Sequence, residues 1–159
     1  MKADEKKYFP MFVDLTQKKV TVIGAGNIAK RRIETLLSFA GTIEVIAPDA
    51  CERIKELAKE GRLVWKEKEY DREDLYDADL VLSATNNEKV NNDVYSACKC
   101  LGISVNTASN RMKCDFYFPS ILQKEETVIG LNSAGNPAKT KNVRKEMQKW
   151  IEEVGEKHE

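Results

Sequence analysis

The sequence predicts an α/β fold in which a parallel sheet carries helices on both faces and is followed by a small α+β segment. Two observations predict it. Through residue 112, short β-branched runs alternate with amphipathic stripes at helical spacing, which is the pattern of β-α-β units with right-handed crossovers. Beyond that point the alternation ends, and two strand-like runs and one helical stripe remain. We therefore place one domain at residues 1–112 and a second segment at residues 113–159.

The first part of the sheet is predicted from two apolar runs. Residues 19–23 form a short β-branched run that ends at glycines, and residues 43–47 form a second run that Pro48 stops. An amphipathic helix lies between them, with Gly41 at its expected end. Its apolar stripe consists of Ala29, Ile33, Leu36, Leu37 and Ala40.

The remaining strands follow the same alternation. A charged helix at residues 49–60 and a short strand at 63–65 precede a strand at 80–84. Asn87 then caps a helix, and a strand at 103–106 follows. The apolar face of that helix consists of Val90, Val94, Ala97, Cys98 and Leu101. Together these elements predict a five-stranded parallel sheet.

The segment after residue 112 is predicted to be a hairpin and a helix. Its strands lie at residues 116–119 and 127–131, around a polar turn at 123–126. The final helix carries an apolar stripe of Val143, Met147, Trp150, Ile151 and Val154. Because two strands and one helix bury little apolar surface by themselves, we expect this segment to pack on the first domain or to pair with a second copy of the chain.

Composition and charge exclude several classes of protein. The 159 residues contain 26 Lys and Arg and 26 Asp and Glu, so the formal net charge is zero. This balance argues against a general nucleic-acid binder. No apolar run is long enough to span a membrane, and the N-terminus has no apolar signal core. Four cysteines are too few for a disulfide scaffold. We expect a cytoplasmic protein.

A glycine-rich loop carries the clearest chemical signal. Residues 24–29 fit the pattern G-x-G-x-x-G/A directly between a strand and a helix, as in the Rossmann dinucleotide-binding fold. Gly24 permits the tight turn, Gly26 lets the backbone approach a diphosphate, and Ala29 permits close packing of helix on strand. We assign Gly24, Gly26, Asn27 and Ile28 to cofactor binding through the helix N-terminus. The alternative is a tight turn without a ligand.

Polar residues at two other strand ends extend this predicted site. Asp49 lies just beyond the second strand, where an acidic residue binds the ribose hydroxyls in such folds; it could equally cap the next helix. No arginine stands at that strand end, which favours NAD over NADP. Thr85 and Asn86 follow the fourth strand and are expected to line the same cofactor cleft.

Several motifs together resemble the precorrin-2 dehydrogenases, a family that includes the N-terminal module of bacterial siroheme synthases. The resemblance covers residues 8 to about 155, in order and with matching spacing. The matching segments are residues 8–15 (YFPMFVDL), 22–31 (VIGAGNIAKR), 83–86 (SATN), 90–91 (VN), 105–106 (VN), 116–120 (FYFPS) and 131–137 (LNSAGNP). It implies NAD-dependent oxidation of precorrin-2 to sirohydrochlorin, on the path to siroheme or cobalamin. It also implies a Rossmann domain, a dimerisation segment and a homodimer.

One position departs from the family. Where members with both dehydrogenase and chelatase activity carry an aspartate implicated in catalysis, this sequence has Ser109. We assign Ser109 to that catalytic position, although serine cannot act as a carboxylate base at neutral pH. The dehydrogenase interpretation stands because the cofactor supplies the hydride chemistry. A water molecule or a substrate carboxylate could accept the proton.

The family substrate is a polycarboxylate, so the resemblance implies a basic pocket. Residues 132–145 contain no acidic residue. Candidate cations are Lys30, Arg31, Arg111, Lys113, Lys139, Lys141, Arg144 and Lys145. Guanidinium groups bind carboxylates with two hydrogen bonds, which favours the arginines. We assign Asn106, Arg111, Lys113, Ser133 and Arg144 to substrate binding. The alternative for any one cation is a solvated helix start.

No metal site is predicted. Cys98-Lys99-Cys100 lacks a histidine partner, since the one histidine, His158, stands near the end of the sequence. A buried structural role fits Cys98 better. Three alternatives to a dehydrogenase remain: a nucleotide-binding regulator that has lost catalysis, a tetrapyrrole delivery protein, and a bifunctional dehydrogenase and ferrochelatase.

Overall fold

A five-stranded parallel sheet forms the centre of the larger part of the chain. The computed structural model describes residues 8–156, with the backbone alone at 154–156, so His158 and the side chain of Val154 lie outside the described residues. The strand order is β3-β2-β1-β4-β5, and every neighbouring pair is parallel. The strands are β1 (Lys19–Ile23), β2 (Thr42–Ala47), β3 (Val64–Glu67), β4 (Leu80–Ser83) and β5 (Ser104–Thr107). The predicted Rossmann-like sheet is confirmed.

Three helices connect these strands. They are α1 (Asn27–Leu36), α2 (Glu52–Lys59) and α3 (Glu88–Leu101), with short 3₁₀ turns at Arg72–Leu75 and Arg111–Lys113. Crossovers between parallel strands are right-handed almost without exception, and here they run outward from β1 in one direction and from β4 in the other. They therefore place the helices on opposite faces of the sheet.

Strands β1, β2, β4 and β5 are mostly buried, as expected of a sheet covered by helices, whereas the edge strand β3 is partly exposed. Val20, Val22, Ile33 and Val81 are fully buried. Each such side chain contributes about 1.5–3 kcal/mol by leaving water. The sheet is therefore a rigid base for the loops at its edge.

Helix α1 is shorter than predicted. It ends at Leu36, before the predicted end at Gly41. Gly41 instead lies against the chain that enters β1, because a side-chain carbon there would collide with the carbonyl oxygen of Thr16. The glycine signal reflects a close backbone approach and was wrongly interpreted as the end of the helix.

Helix α3 begins at the cap that its sequence predicts. The Asn87 side chain accepts hydrogen bonds from the backbone N–H groups of Lys89 and Val90, at 3.0 and 3.3 Å. Gly102 follows the helix with a φ of 71°, the left-handed conformation typical of a helix end. Cys98 is fully buried in the helix face, as its place in the apolar stripe predicts.

The second unit contains a hairpin and a long helix. Contacts divide the chain into Phe12–Phe116 and a unit that comprises residues 8–11 and 117–156 among those described. In the second unit β6 (Ser120–Lys124) pairs antiparallel with β7 (Thr127–Leu131), and α4 (Pro137–Glu156) follows. The predicted strand at 116–119 is wrong, because β6 begins only after Pro119, which has no N–H to donate to a ladder.

Candidate functional site

The glycine-rich loop lies at the point of the sheet where the chain direction reverses. Strand β1 pairs with β2 on one side and with β4 on the other. The connections from β1 and β4 leave in opposite directions, so a crevice opens at their carboxyl ends, where ligands of open α/β sheets bind. The loop after β1 and the turn after β4 both lie at this edge.

Gly24 must be glycine for two reasons. Its φ is +102°, a conformation that residues with a side chain rarely adopt. A side-chain carbon there would also lie 2.6 Å from the carbonyl oxygen of Ala84 and 3.0 Å from the nitrogen of Thr85. The Gly24 N–H donates to the carbonyl of Ile46 at 2.9 Å. The loop is therefore packed between the ends of β2 and β4.

Gly26 stands in a different environment. It precedes α1 as the N-cap, and no side chain caps the helix. A side-chain carbon at Gly26 would meet nothing within 4 Å. Asn27 and Ile28 are exposed, whereas Ala29 is fully buried beneath them. The first turn of α1 contains no acidic residue and no capping side chain, so the N–H groups at this positive helix end have the chemistry of an anion-binding site.

The end of β2 carries one carboxylate and one cation. Asp49 is exposed, and its carboxylate lies 2.9 Å from the Lys55 ammonium. The hydrogen bond from Lys55 lowers the pKa of Asp49 below its usual range. The Lys55 ammonium also lies 5.8 Å from the ring centre of Trp65. Cys51, not Asp49, is the N-cap of α2, so the alternative of a helix cap at Asp49 is wrong.

Asn91 joins the turn after β4 to the loop after β5. Its side chain is buried and accepts hydrogen bonds from Ser83 Oγ at 2.7 Å and Thr85 N–H at 3.4 Å. It donates to the Thr85 carbonyl at 3.0 Å and to Ser109 Oγ at 3.2 Å. The structure thus brings Thr85 and Ser109 together, whereas Asn86 is exposed beside them.

Sequence reasoning did not assign Asn91 to the site. The available signal is its position on α3. Asn91, Val94 and Cys98 share the buried face, at the spacing i, i+3 and i+7. A polar residue in an apolar stripe costs free energy unless it is hydrogen-bonded. Such a residue is therefore a candidate for a structural or functional network.

Asn106 and Arg32 form a second buried link. Arg32 Nη1 donates to Asn106 Oδ1 at 2.7 Å, and Asn106 Nδ2 donates to the Phe116 carbonyl at 2.7 Å. Burial lowers the pKa of Arg32. The predicted substrate residue Asn106 is only 3% exposed. The neighbouring candidate cations, Lys30 and Arg31, were predicted, whereas Arg32 was not.

The loop after β5 positions the other predicted residues of the first unit. Asn110 Oδ1 accepts from the N–H of Met112 at 2.9 Å and starts the short 3₁₀ turn. Arg111 in that turn is exposed. Lys113 contacts Asn92 Oδ1 and its ammonium lies 5.7 Å from the ring centre of Tyr95. The turn therefore presents two cations close to Ser109 in sequence.

The Asp115 carboxylate is held by two structural contacts. It accepts from the Val105 N–H at 3.0 Å and pairs with Lys99 at 2.6 Å. It therefore tethers the end of the loop to the start of β5. Ser109, which the resemblance places at the position of the family aspartate, lies earlier in the same loop and is hydrogen-bonded to Asn91.

Ser133 and Arg144 belong to the second unit. Ser133 lies in a tight loop in which Ala134 and Gly135 have φ values of 49° and 71°. Asn136 Oδ1 accepts from the Lys139 N–H at 3.1 Å and caps α4. Ser133 is half-buried, and Arg144 is exposed on the helix.

The described residues show neither a metal cluster nor a membrane span. Within residues 8–156, no group of three His, Cys, Asp or Glu side chains could hold a metal ion. Cys98 and Cys100 differ in environment, the first buried and the second exposed. Burial raises the pKa of the Cys98 thiol to about 12. In the same part of the chain, no helix combines the length and apolarity needed to cross a membrane.

Comparison with known proteins agrees with this geometry. Residues 11–120 match the family described as putative NAD(P)-binding. The chain is 37% identical over 129 residues to a siroheme synthase of Pseudoalteromonas atlantica, covering 81% of this chain and 28% of that protein. It is 37% identical over 143 residues to a probable multifunctional siroheme biosynthesis protein, HemA, of Ruminiclostridium josui, covering 89% and 28%.

One solved structure is similar to this chain over most of the length of both proteins. The structure described as SirC, precorrin-2 dehydrogenase, superposes with a TM-score of 0.72 at 26% sequence identity, covering 89% of this chain and 70% of that one. The present chain spans less than a third of the length of the two curated relatives named above. The likeness therefore concerns one part of those longer proteins.

Proposed function

This chain belongs to the precorrin-2 dehydrogenase family of putative NAD(P)-binding proteins, and we propose that it oxidises precorrin-2 to sirohydrochlorin with NAD⁺ as the hydride acceptor. The observation that carries the proposal is the glycine-rich loop at the reversal point of the sheet, next to an uncapped helix. The names of the siroheme synthase relatives and of the precorrin-2 dehydrogenase neighbour support the choice of substrate.

The first turn of α1 fits the diphosphate of a dinucleotide. Gly24 holds the loop against the turn after β4, and the open space at Gly26 admits the phosphates. The backbone N–H groups of Asn27 and Ile28 donate to the diphosphate at the positive end of the helix. When bound, NAD⁺ supplies the acceptor for the hydride. The residues of this chain bind and orient the cofactor.

The two ends of the cofactor have separate polar partners. Asp49, whose pKa the hydrogen bond from Lys55 lowers further, accepts hydrogen bonds from the ribose hydroxyls at the end of β2. Thr85 and Asn86, which follow β4, line the cleft on the other side of the loop. Ser109 stands beyond them, hydrogen-bonded to Asn91. This order assigns the adenosine half to β2 and the nicotinamide half to β4 and β5.

Cations bind the carboxylates of the substrate. Arg111 and Lys113 follow β5 in the first unit, and Arg144 with Ser133 lies in the second unit. Guanidinium groups bind carboxylates bidentately, so Arg111 and Arg144 contribute most. Asn106 contributes by holding Arg32 in place.

The second segment forms a homodimer. Val143 and Trp150 are exposed on α4, although both belong to the apolar stripe that the sequence predicts. We assign residues 1–112 to the NAD-binding domain and residues 113–159 to dimerisation. The four cysteines are free thiols, which suits a protein that works in the reducing cytoplasm.

The test is an anaerobic assay of precorrin-2 and NAD⁺ with the full chain. We expect NADH and sirohydrochlorin to appear together. Gly26→Asp is the matched control, because Gly26 has an ordinary φ of −85° and open space around it. Aspartate is also a good N-cap, so this variant folds, but its carboxylate repels the diphosphate. The variant should neither bind NAD⁺ nor form product.

The opposite outcome identifies a different class of protein. Intact NAD⁺ binding without NADH or sirohydrochlorin would contradict the dehydrogenase proposal and favour a regulator that has lost catalysis. Tetrapyrrole binding that persists in Gly26→Asp, with no turnover by the wild-type protein, would favour a delivery protein.

A further inference from the structure

The orientation of the Asn91 amide is fixed by the backbone of a single residue. Its Oδ1 faces the N–H of Thr85 and its Nδ2 faces the carbonyl of Thr85, at 3.4 and 3.0 Å. Exchanging the two atoms would set a donor against the N–H and an acceptor against the carbonyl. Ser83 Oγ, 2.7 Å from Oδ1, donates in the observed orientation.

This orientation decides whether the Ser109 hydroxyl donates to Asn91 or accepts from it. Asn91 Nδ2 lies 3.2 Å from Ser109 Oγ. Since an amide nitrogen can only donate, Ser109 Oγ is the acceptor of this hydrogen bond. The hydroxyl hydrogen of Ser109 therefore points away from Asn91. Ser109 is exposed, so this hydrogen is available to a ligand at the carboxyl edge of the sheet.

We propose that Asn91 is a positioning residue that holds Ser109 as a hydrogen-bond donor, and that Ser109 binds a carboxylate of the tetrapyrrole substrate. The proposal rests on the proposed function and deepens it. Ser109 occupies the position of a family aspartate, but it acts in the opposite sense, donating a hydrogen bond where a carboxylate accepts one.

The charge around Ser109 favours an anionic acceptor. Residues 106–113 contain two cations, Arg111 and Lys113, and no acid. The nearest acid that follows, Asp115, is paired with Lys99. A hydroxyl that already accepts a hydrogen bond also donates more strongly, because hydrogen bonds in a chain polarise one another. A carboxylate of the substrate matches both the charge and the donor.

The principal test compares two substitutions at Ser109 in the full-length chain. Sirohydrochlorin, the coloured product, is titrated without cofactor, and NAD⁺ is titrated separately by calorimetry. Ser109→Ala should raise the Kd for sirohydrochlorin about tenfold, the loss expected for one hydrogen bond to a charged group. Ser109→Thr keeps the hydroxyl and should stay within about twofold of wild type. The Kd for NAD⁺ should change less than about twofold in both.

The kinetic readout separates binding from chemistry. In turnover assays Ser109→Ala should raise the KM for precorrin-2 while kcat changes less than about twofold, as for lost binding energy common to ground state and transition state. Ser109→Asp should bind sirohydrochlorin more weakly than Ser109→Ala, because a carboxylate repels the substrate carboxylates. A Ser109→Ala variant whose kcat falls about tenfold or more with KM unchanged would overturn the proposal in favour of a role in the chemical step.

Asn91→Asp tests the positioning role. A carboxylate there only accepts, so it turns the Ser109 hydrogen inward, and the Kd for sirohydrochlorin should rise to the value of Ser109→Ala. The double variant Asn91→Asp, Ser109→Ala should bind sirohydrochlorin no more weakly than either single variant, since both substitutions remove the same interaction. If Asn91→Asp fails to fold, the Ser109 pair still decides the donor role.

Each remaining outcome has a definite meaning. Ser109→Ala binding as tightly as wild type overturns the inference while the proposed function stands. A loss of NAD⁺ affinity in Ser109→Ala overturns it too, because the acceptor is then an oxygen of the cofactor. A wild-type protein that neither binds sirohydrochlorin nor forms it contradicts the proposed function itself.

Discussion

Gly24 and Gly26 are two residues apart in one loop, yet they are constrained by different parts of the structure. Gly24 is constrained by its own fold, with a φ of +102° and the Ala84 carbonyl against it. Gly26 has an ordinary φ and open space, so only a ligand would require glycine there. Substitution of Gly24 therefore tests the stability of the loop, whereas substitution of Gly26 tests its binding of a ligand.

Alanine substitutions test this separation. Gly24→Ala should lower the free energy of unfolding by about 1–3 kcal/mol, the cost of a strained residue, as measured by urea denaturation. Gly26→Ala should leave it within about 0.5 kcal/mol but raise the Kd for NAD⁺. Equal destabilisation by both variants would contradict the geometry of the loop.

The proposed ribose contact makes Asp49 and Lys55 the residues at which the preference for NAD⁺ over NADP⁺ can be tested. Asp49→Asn removes the carboxylate that we propose binds the ribose, and it frees Lys55, whose ammonium lies 2.9 Å from that carboxylate in the wild-type protein. We expect the Kd for NAD⁺ to rise and the Kd for NADP⁺ to fall, because an ammonium attracts a 2′-phosphate. The double variant Asp49→Asn, Lys55→Met should lose the gain for NADP⁺. A gain that persists in the double variant would exclude Lys55 as its source.

Among the individual residues of the site, the sequence predicts those whose role depends on a local sequence pattern. The motif spacing identified Gly24 and Gly26, and the structure gives them the expected loop and helix start. Asn91 and Arg32 were missed because their importance comes from partners 18 and 74 residues away, Ser109 and Asn106. The apolar stripe of α3 can single out Asn91 as a buried polar residue, but no local rule predicts the partner of Asn91 or of Arg32 before the fold is known.

At the scale of the elements, the start of α3 depends on a single side chain. Asn87 accepts from two backbone N–H groups, so Asn87→Ala should lower the free energy of unfolding by about 1 kcal/mol. Asn86→Ala is the matched control beside it, since Asn86 is exposed, and should change the free energy by less than about 0.5 kcal/mol. A similar loss in both variants would argue against the cap.

The strands and helices of the sheet were predicted from periodicity, with ends displaced by a few residues. The prediction of a strand at 116–119, in contrast, was wrong. The aromatic residues of this segment favour a strand, but Pro119 cannot donate to a ladder and the carbonyl of Phe116 is occupied by Asn106. A contact with β5, ten residues earlier in the chain, thus outweighs the local β propensity.

At the scale of the whole molecule, the proposed homodimer depends on α4. Removing residues 137–159 removes the stripe that includes Val143 and Trp150, and we expect the protein to sediment as a monomer. Trp150→Ser, in which the half-exposed indole is lost, should weaken the dimer. Val64→Ser, equally exposed but on β3, should not. A truncated protein that remains dimeric would contradict this assignment.

The zero net charge of the chain conceals local differences that suit a polyanionic substrate. The segments 106–113 and 132–145 contain no acidic residue, while the acidic residues lie elsewhere in the chain. Salt should therefore weaken sirohydrochlorin binding, because it screens attraction between exposed charges. Titration at increasing salt concentration checks this, and a Kd independent of salt would contradict it.

The central claim is that this chain transfers a hydride from precorrin-2 to NAD⁺. The most direct measurement counts NADH and sirohydrochlorin in the same anaerobic reaction, with the full-length wild-type protein and with Gly26→Asp. We predict one NADH for each sirohydrochlorin formed by the wild-type protein and neither product above background from the variant. Sirohydrochlorin formed without NADH, or at the same rate by Gly26→Asp, would contradict the account.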